Sequence, residues 1–208
     1  APQRITHFAR LRECDELVQG FADAVEPARE AGRLGPLLFQ LPPNFAADPE
    51  RLRQFLQAPA LHGRNAPAVA FEFRHPSWFG EETLDVLREH GAALCVAESD
   101  ELATPDVRTA GFRCYRLRRS GGYTEAELDS FAARFAELAR EDEVFVFHKH
   151  EDEPTGVLNA VAVQRRAAEL AAGAAARAGA RTSTKTAAGA EAAGPVAGRG
   201  RRAGGARR

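Results

Sequence analysis

The sequence contains no methionine and only three cysteines among its 208 residues. Cys14, Cys95 and Cys114 have no C-x-x-C spacing, and two of them fall inside apolar strand-like runs. That excludes a disulfide framework and reads as small buried hydrophobes in a reducing compartment. Methionine is missing at position 1 as well, which leaves open that the gene product is longer. Long apolar runs are also absent: none approaches the roughly 20 residues of a membrane span, and Ala1-Pro2-Gln3-Arg4 opens no signal-peptide apolar region. A cytoplasmic protein without a membrane partner is expected. There is no G-x-S-x-G, no P-loop, no dinucleotide fingerprint and no H-E-x-x-H, so acyl transfer, ATP use and NAD chemistry are disfavoured and no nucleotide cofactor is expected.

The residues that are present suit one domain with a real core, with 44% hydrophobic content. The stretch around which the rest is organised is Val69-Ala70-Phe71-Glu72-Phe73-Arg74-His75-Pro76-Ser77-Trp78. Its alternation places Val69, Phe71 and Phe73 on one face of a strand and Ala70, Glu72 and Arg74 on the other. Under helices the apolar face packs inward, so Glu72 and Arg74 point into whatever the sheet encloses, near the strand's carboxyl end. That is where α/β folds place their sites.

Apolar positions at three- and four-residue spacing predict a helix over 13–31, ended by Gly32. Leu37–Leu41 reads as a buried strand closed by Pro42-Pro43. Asp48-Pro49-Glu50 supplies a cap, a first-turn proline and a first-turn acid for a helix through Leu56. Strands Val69–Phe73, Ala93–Ala97, Phe112–Arg118 and Val144–Phe147 follow, with helices at Glu81–His90, Thr124–Arg140 and Thr155–Ala171. The spacing predicts five strands, each followed by a helix, as in βα units around a parallel sheet. Residues 1–172 form this domain. Residues 173–208 carry eight Lys or Arg against Glu191 alone, while the preceding 172 residues are net acidic by eight charges. Their Ala/Gly/Arg composition predicts a disordered basic tail.

Four ordered motifs, Leu37-Leu38-Phe39-Gln40-Leu41-Pro42-Pro43, Phe71–Trp78, Tyr115-Arg116-Leu117 and Lys149-His150-Glu151-Asp152, together resemble the YecE-like family, domain of unknown function 72. The resemblance implies a TIM-type (β/α) barrel and no settled activity. It also implies that Arg4-Ile5-Thr6-His7 ends the third barrel strand, that the five strands here are the fourth to the eighth, and that the chain is a barrel fragment lacking three βα units, through truncation or a misplaced start. An open sheet leaves two unpaired edges, which invite partner strands or aggregation. Where the family shows R-L-H-G, this chain has Arg116-Leu117-Arg118-Arg119, and the lysine that the family carries before its third-strand A-P would fall upstream of Ala1.

Barrel geometry would gather Gln40, Glu72, Arg74, His75, Asp100, Arg116, Arg118, Lys149, His150, Glu151 and Asp152 at one mouth. Two readings of the charged core stand side by side. Glu72 is a general base beside Arg74 and Arg116, whose forks hold an anionic ligand such as a phosphoester or sugar phosphate. Alternatively, Glu72 and the arginines form a buried ion pair that fixes register. Gln40, His75, Trp78 and Lys149 complete the candidate ligand set, with Trp78 and Tyr123 either stacking on a ring or anchoring loops. A divalent metal, Zn²⁺ or Mn²⁺, has suitable donors in His150, Glu151 and Asp152, with His75 and Glu72 nearby, or those residues form a solvated loop. Arg199, Arg201, Arg202, Arg207 and Arg208 offer phosphate contacts to a nucleic acid, or serve only as a solubilising extension.

Overall fold

The computed structural model describes residues 1–62, 66–98, 100–148 and 154–190. Strands β1 (Leu37–Gln40), β2 (Val69–Glu72), β3 (Ala93–Glu98), β4 (Phe112–Leu117) and β5 (Glu143–His148) form one sheet in sequence order, with every pairing parallel. Helices α1 (Asp15–Glu30), α2 (Pro49–Leu56), α3 (Glu81–Glu89), α4 (Glu125–Leu138) and α5 (Thr155–Ala190) complete the chain. The edge strands share a cavity of about 530 Å³, lined by Leu38 and Gln40 of β1 and Phe147 of β5. The sheet is therefore curled into a half-barrel. One compact unit spans Ala1–Ala168 and a second begins at Glu169. No helix of the described residues is long and apolar enough to cross a membrane.

The alternation read from the sequence sorts the two faces. On the convex face, Phe39, Phe71 and Phe73 stack in a row, with centroids 5.5 and 5.8 Å apart. Phe55 of α2 meets Phe39 and Phe71 edge-on at 5.0 and 6.0 Å. Val18, Leu52, Leu84 and Leu87 from three helices close the same core. Such burial and aromatic geometry supply most of the stability, since a buried Phe truncated to Ala costs roughly 3–5 kcal/mol. The concave face is built differently, from Ala70, Ala93, Cys95 and Cys114. These are small side chains that leave space above them.

Caps follow the sequence cues. The Asp48 carboxylate accepts from the Arg51 N–H at 3.0 Å, ahead of Pro49. Thr124 and Glu127 form a reciprocal capping box on α4.

Three expectations are corrected. Between β3 and β4 the described residues contain no helix. Pro105 interrupts that segment, and the Thr109 hydroxyl pins it by accepting from the Leu94 N–H and donating to the Ala92 carbonyl, both at 2.8 Å. Arg4–Phe8 form a wide helical turn rather than a strand end, closed by the Ala9 N–H on the Arg4 carbonyl at 2.9 Å. Local bonds there satisfy the backbone groups that a neighbouring strand would otherwise have to pair. Helix α5 runs on through residues 173–190 to Ala190, where alanine is the best helix former and a helix satisfies its own backbone without a core; residues 191–208 of the basic tail lie outside the described residues. Trp78 does not reach the mouth. It is fully buried, stacked on Phe73 at 4.7 Å and 4°, and its indole N–H donates to the Phe45 carbonyl at 2.7 Å. The short turn Pro76–Phe79 swings it beneath the convex-face core.

Two measurements test this account. Trp78, the sole tryptophan, should emit at short wavelength, resist iodide quenching and shift to the red only on unfolding; a quenchable native signal would contradict its burial. The Thr124 N–H, the Arg119 guanidinium and the Thr124 hydroxyl hold the Glu127 carboxyl down at about 2, from 4.5. A depressed carboxyl stabilises the fold above its unfolded pKa and loses that effect as pH falls through the folded value. An NMR titration of Glu127 should therefore find a midpoint near 2. Thr124→Ala keeps the backbone N–H and Arg119 and removes only the hydroxyl bond, so it should raise that midpoint only partly, while the lost cap should cost about 1 kcal/mol in urea unfolding.

Candidate functional site

The site starts from one alternating strand. Glu72 is the last residue of β2 and its side chain is fully buried, at 0% exposure, on the concave face. A carboxylate out of water needs donors on nearly every lone pair. Three arginines supply them. Arg74 Nε and Arg118 Nη1 each reach Glu72 Oε1 at 3.3 Å, and Arg116 Nη1 donates to Glu72 Oε2. Gln40, the register partner of Glu72 on β1, turns its amide oxygen to the same group. It accepts from Arg116 Nη1 at 3.0 Å and from Arg74 Nη2 at 3.4 Å.

The fold makes this convergence possible through small residues. Arg116 sits on β4, two strands away from β2, and its register partner on the intervening β3 is Ala97. Ala97 and Cys95 do not obstruct the long arginine, which crosses above β3 to meet Glu72. Below the cluster, the Cys95 and Cys114 sulfurs lie 3.4 Å apart as free buried thiols. The contact with Cys114 and burial both push the Cys95 thiol well above its usual value, so it stays protonated. The floor is thus neutral, and the charge is concentrated in one layer.

The local balance is three guanidinium groups against one carboxylate, an excess of two positive charges. The arginine side chains keep 14–24% exposure, so solvent or a ligand reaches donors that Glu72 does not use. Arg116 and Gln40 also face the cavity of about 530 Å³, whose other walls include Thr6, His7, Leu38 and Phe147.

Of the residues expected at the mouth, Gln40, Glu72, Arg74 and Arg116 meet. Arg118, also expected at the mouth but not counted among the ligand contacts, joins them. The signal for it was its parity with Arg116, two residues earlier on the same strand. His75 does not join the cluster: its Nδ1 lies 2.8 Å from the Ser77 hydroxyl and accepts from the Ser77 N–H at 3.3 Å, capping the turn that carries Trp78. Ser77 in turn accepts from the Ala47 N–H at 2.8 Å, tying two loops together. Asp100 accepts from the Ser120 N–H at 3.0 Å. Tyr123 is a loop anchor, its hydroxyl accepting from the Arg119 N–H at 3.1 Å and its ring lying under the Arg119 guanidinium. His7 lines the cavity beside Thr6 and is bonded to that hydroxyl at 2.8 Å. Lys149, His150, Glu151 and Asp152 lie outside the described residues, as do the tail arginines Arg199, Arg201, Arg202, Arg207 and Arg208. Among the described residues, no three His, Cys, Asp or Glu side chains are grouped as a metal would require.

Comparison with known proteins agrees with this architecture. A search of curated proteins returned no match. Among solved structures, the chain is similar to a DUF72 family protein from Thermotoga maritima, at 26% identity and a TM-score of 0.65, over 78% of this chain and 69% of that one. It also shares its fold with a DUF72 family protein from Enterococcus faecalis, at 17% identity and a TM-score of 0.56, over 73% of this chain and 68% of that one. The family profile described as "Protein of unknown function DUF72" matches residues 1–184. With that span covering nearly all of the described residues, the chain belongs to the DUF72, or YecE-like, family.

Proposed function

We propose that the chain binds a small anionic ligand, a phosphoester or sugar phosphate, at the carboxyl ends of β1, β2 and β4, with Arg74, Arg116 and Gln40 as its contacts and Glu72 as the candidate base. The observation that carries this reading is the gathering of three guanidinium groups on one buried carboxylate, which among the described residues leaves two positive charges uncompensated within the cluster. Arginine forks match phosphate oxygens in pairs. The three arginines satisfy the buried carboxylate, and the charge by which they exceed it among the described residues is what an added anion would balance.

Glu72 has a conditional role. In the free protein its lone pairs are taken by arginine donors. An arriving anion draws those donors to itself and releases a carboxylate oxygen. In hydrolysis, a water oxygen would then bond to phosphorus and the ester P–O bond would break. Glu72 would take the water proton and the departing alkoxide a proton from solvent. We place the chain in a TIM-type barrel, with β1–β5 as strands four to eight, because active sites of that fold lie at this end of the sheet. Three free, buried thiols favour a reducing compartment, hence the cytoplasm.

Calorimetric titration of the full chain with inorganic phosphate tests the binding reading. Arg74→Ala, at a side chain 24% exposed, should weaken binding about tenfold, equivalent to ~1.4 kcal/mol. Glu72→Gln should tighten it by removing a competitor for the same donors. No heat with the parent protein, or equal affinity in all three, would end the proposal. Arg116→Ala strips a fully buried carboxylate of a partner and should lower unfolding stability by about 3 kcal/mol in urea.

A further inference from the structure

The charge balance within the cluster also bears on which anion is held. Arginine keeps its charge at any pH a protein experiences, so Arg74, Arg116 and Arg118 contribute three fixed positive charges. Among the described residues, Glu72 is their one acidic partner. Five hydrogen bonds to Glu72 and Gln40 engage the three groups. With five N–H donors on each guanidinium, about two thirds of the donors take no part in these bonds among the described residues. They belong to three forks that approach one point from two strands, β4 and the end of β2.

We infer that the site selects a phosphate monoester dianion carrying a small organic group, and that Arg118 sets this selectivity. The inference rests on the anion-binding reading above and adds the charge and shape of the ligand. A monoester presents three terminal oxygens and close to two negative charges, its second ionisation lying near pH 6. It meets three forks and cancels the excess of two. A phosphodiester or a carboxylate offers two oxygens and one charge, and leaves one arginine uncompensated. The organic group has a place as well: Arg116 and Gln40 open onto the cavity of about 530 Å³ whose walls include Leu38 and the exposed ring of Phe147 alongside Thr6 and His7. A bare phosphate ion would use the forks and leave these walls in water.

Arg118 is the residue on which the distinction turns. It holds Glu72 through one contact at 3.3 Å and sits two residues after Arg116, just past the end of β4 at Leu117. Without it the cluster keeps Arg74, Arg116, Gln40 and Glu72 with an excess of one, matched to a monoanion.

Calorimetric titration of the full chain at pH 8 with phenyl phosphate, diphenyl phosphate and inorganic phosphate tests this. Phenyl phosphate should bind at least about tenfold more tightly than diphenyl phosphate, and more tightly than inorganic phosphate. Arg118→Ala should lower the phenyl phosphate affinity about tenfold while barely moving that of diphenyl phosphate, and Arg118→Lys should restore most of the preference because it restores the charge. Equal affinity for monoester and diester would overturn dianion selection while leaving anion binding intact. Equal affinity for phenyl phosphate and inorganic phosphate would reassign the site to the free ion. An unchanged ratio in a folded Arg118→Ala protein would remove Arg118 from the role. Absence of binding by all three would instead defeat the anion-binding reading itself.

Discussion

A carboxylate placed in the interior of a sheet has no water to turn to, and Glu72 shows what that forces on its surroundings. Its burial is tolerable only because Arg74, Arg116 and Arg118 arrive to donate to it, with Gln40 holding Arg74 and Arg116 in place by accepting from both. Each of those groups needs a path. The path is open because β3 presents Cys95 and Ala97 rather than large side chains between β2 and β4. The polar layer and the small-residue floor are thus two parts of one requirement.

The opposite face solves a different problem. There the sheet must be sealed from water by helices, and it is sealed by aromatic rings in mutual contact, from Phe39 through Phe71 and Phe73 to Trp78. A strand that alternates Phe with Ala or Glu therefore encodes both functions at once. Its odd-numbered residues hold the protein together while its even-numbered ones are free to carry charge, or the reverse if the register slips by one residue. Such a slip would drive Glu72 into the ring stack, a severe penalty that keeps the pairing of β1 with β2 in place.

Much of this was legible in the sequence because period-two alternation is read directly from residue types. The faces of β2, the parity of Arg116 with Arg118, the Asp48 and Thr124 caps and the parallel βα order all follow from local pattern. What was not legible depended on tertiary context. Trp78 lies four residues beyond Arg74 and looked like part of the same mouth, but a turn capped by His75 carries it to the other side of the sheet. The β3–β4 connection lacks the helix that the repeat suggested, since Thr109 replaces helical packing with two side-chain bonds to the strand backbone.

The order of the strands carries a consequence for assembly. Because β1 to β5 lie side by side in the order in which they occur along the chain, no strand waits for a distant segment before it can pair. Each parallel pairing closes a loop of modest length, and the entropic penalty grows only logarithmically with that length. Nucleation can begin at any adjacent pair and spread outward, as it does in repeat arrays. The arginine cluster, however, spans β1, β2 and β4, so it can form only after β3 is seated. The electrostatic layer is thus a late event on a hydrophobic scaffold that is already in register.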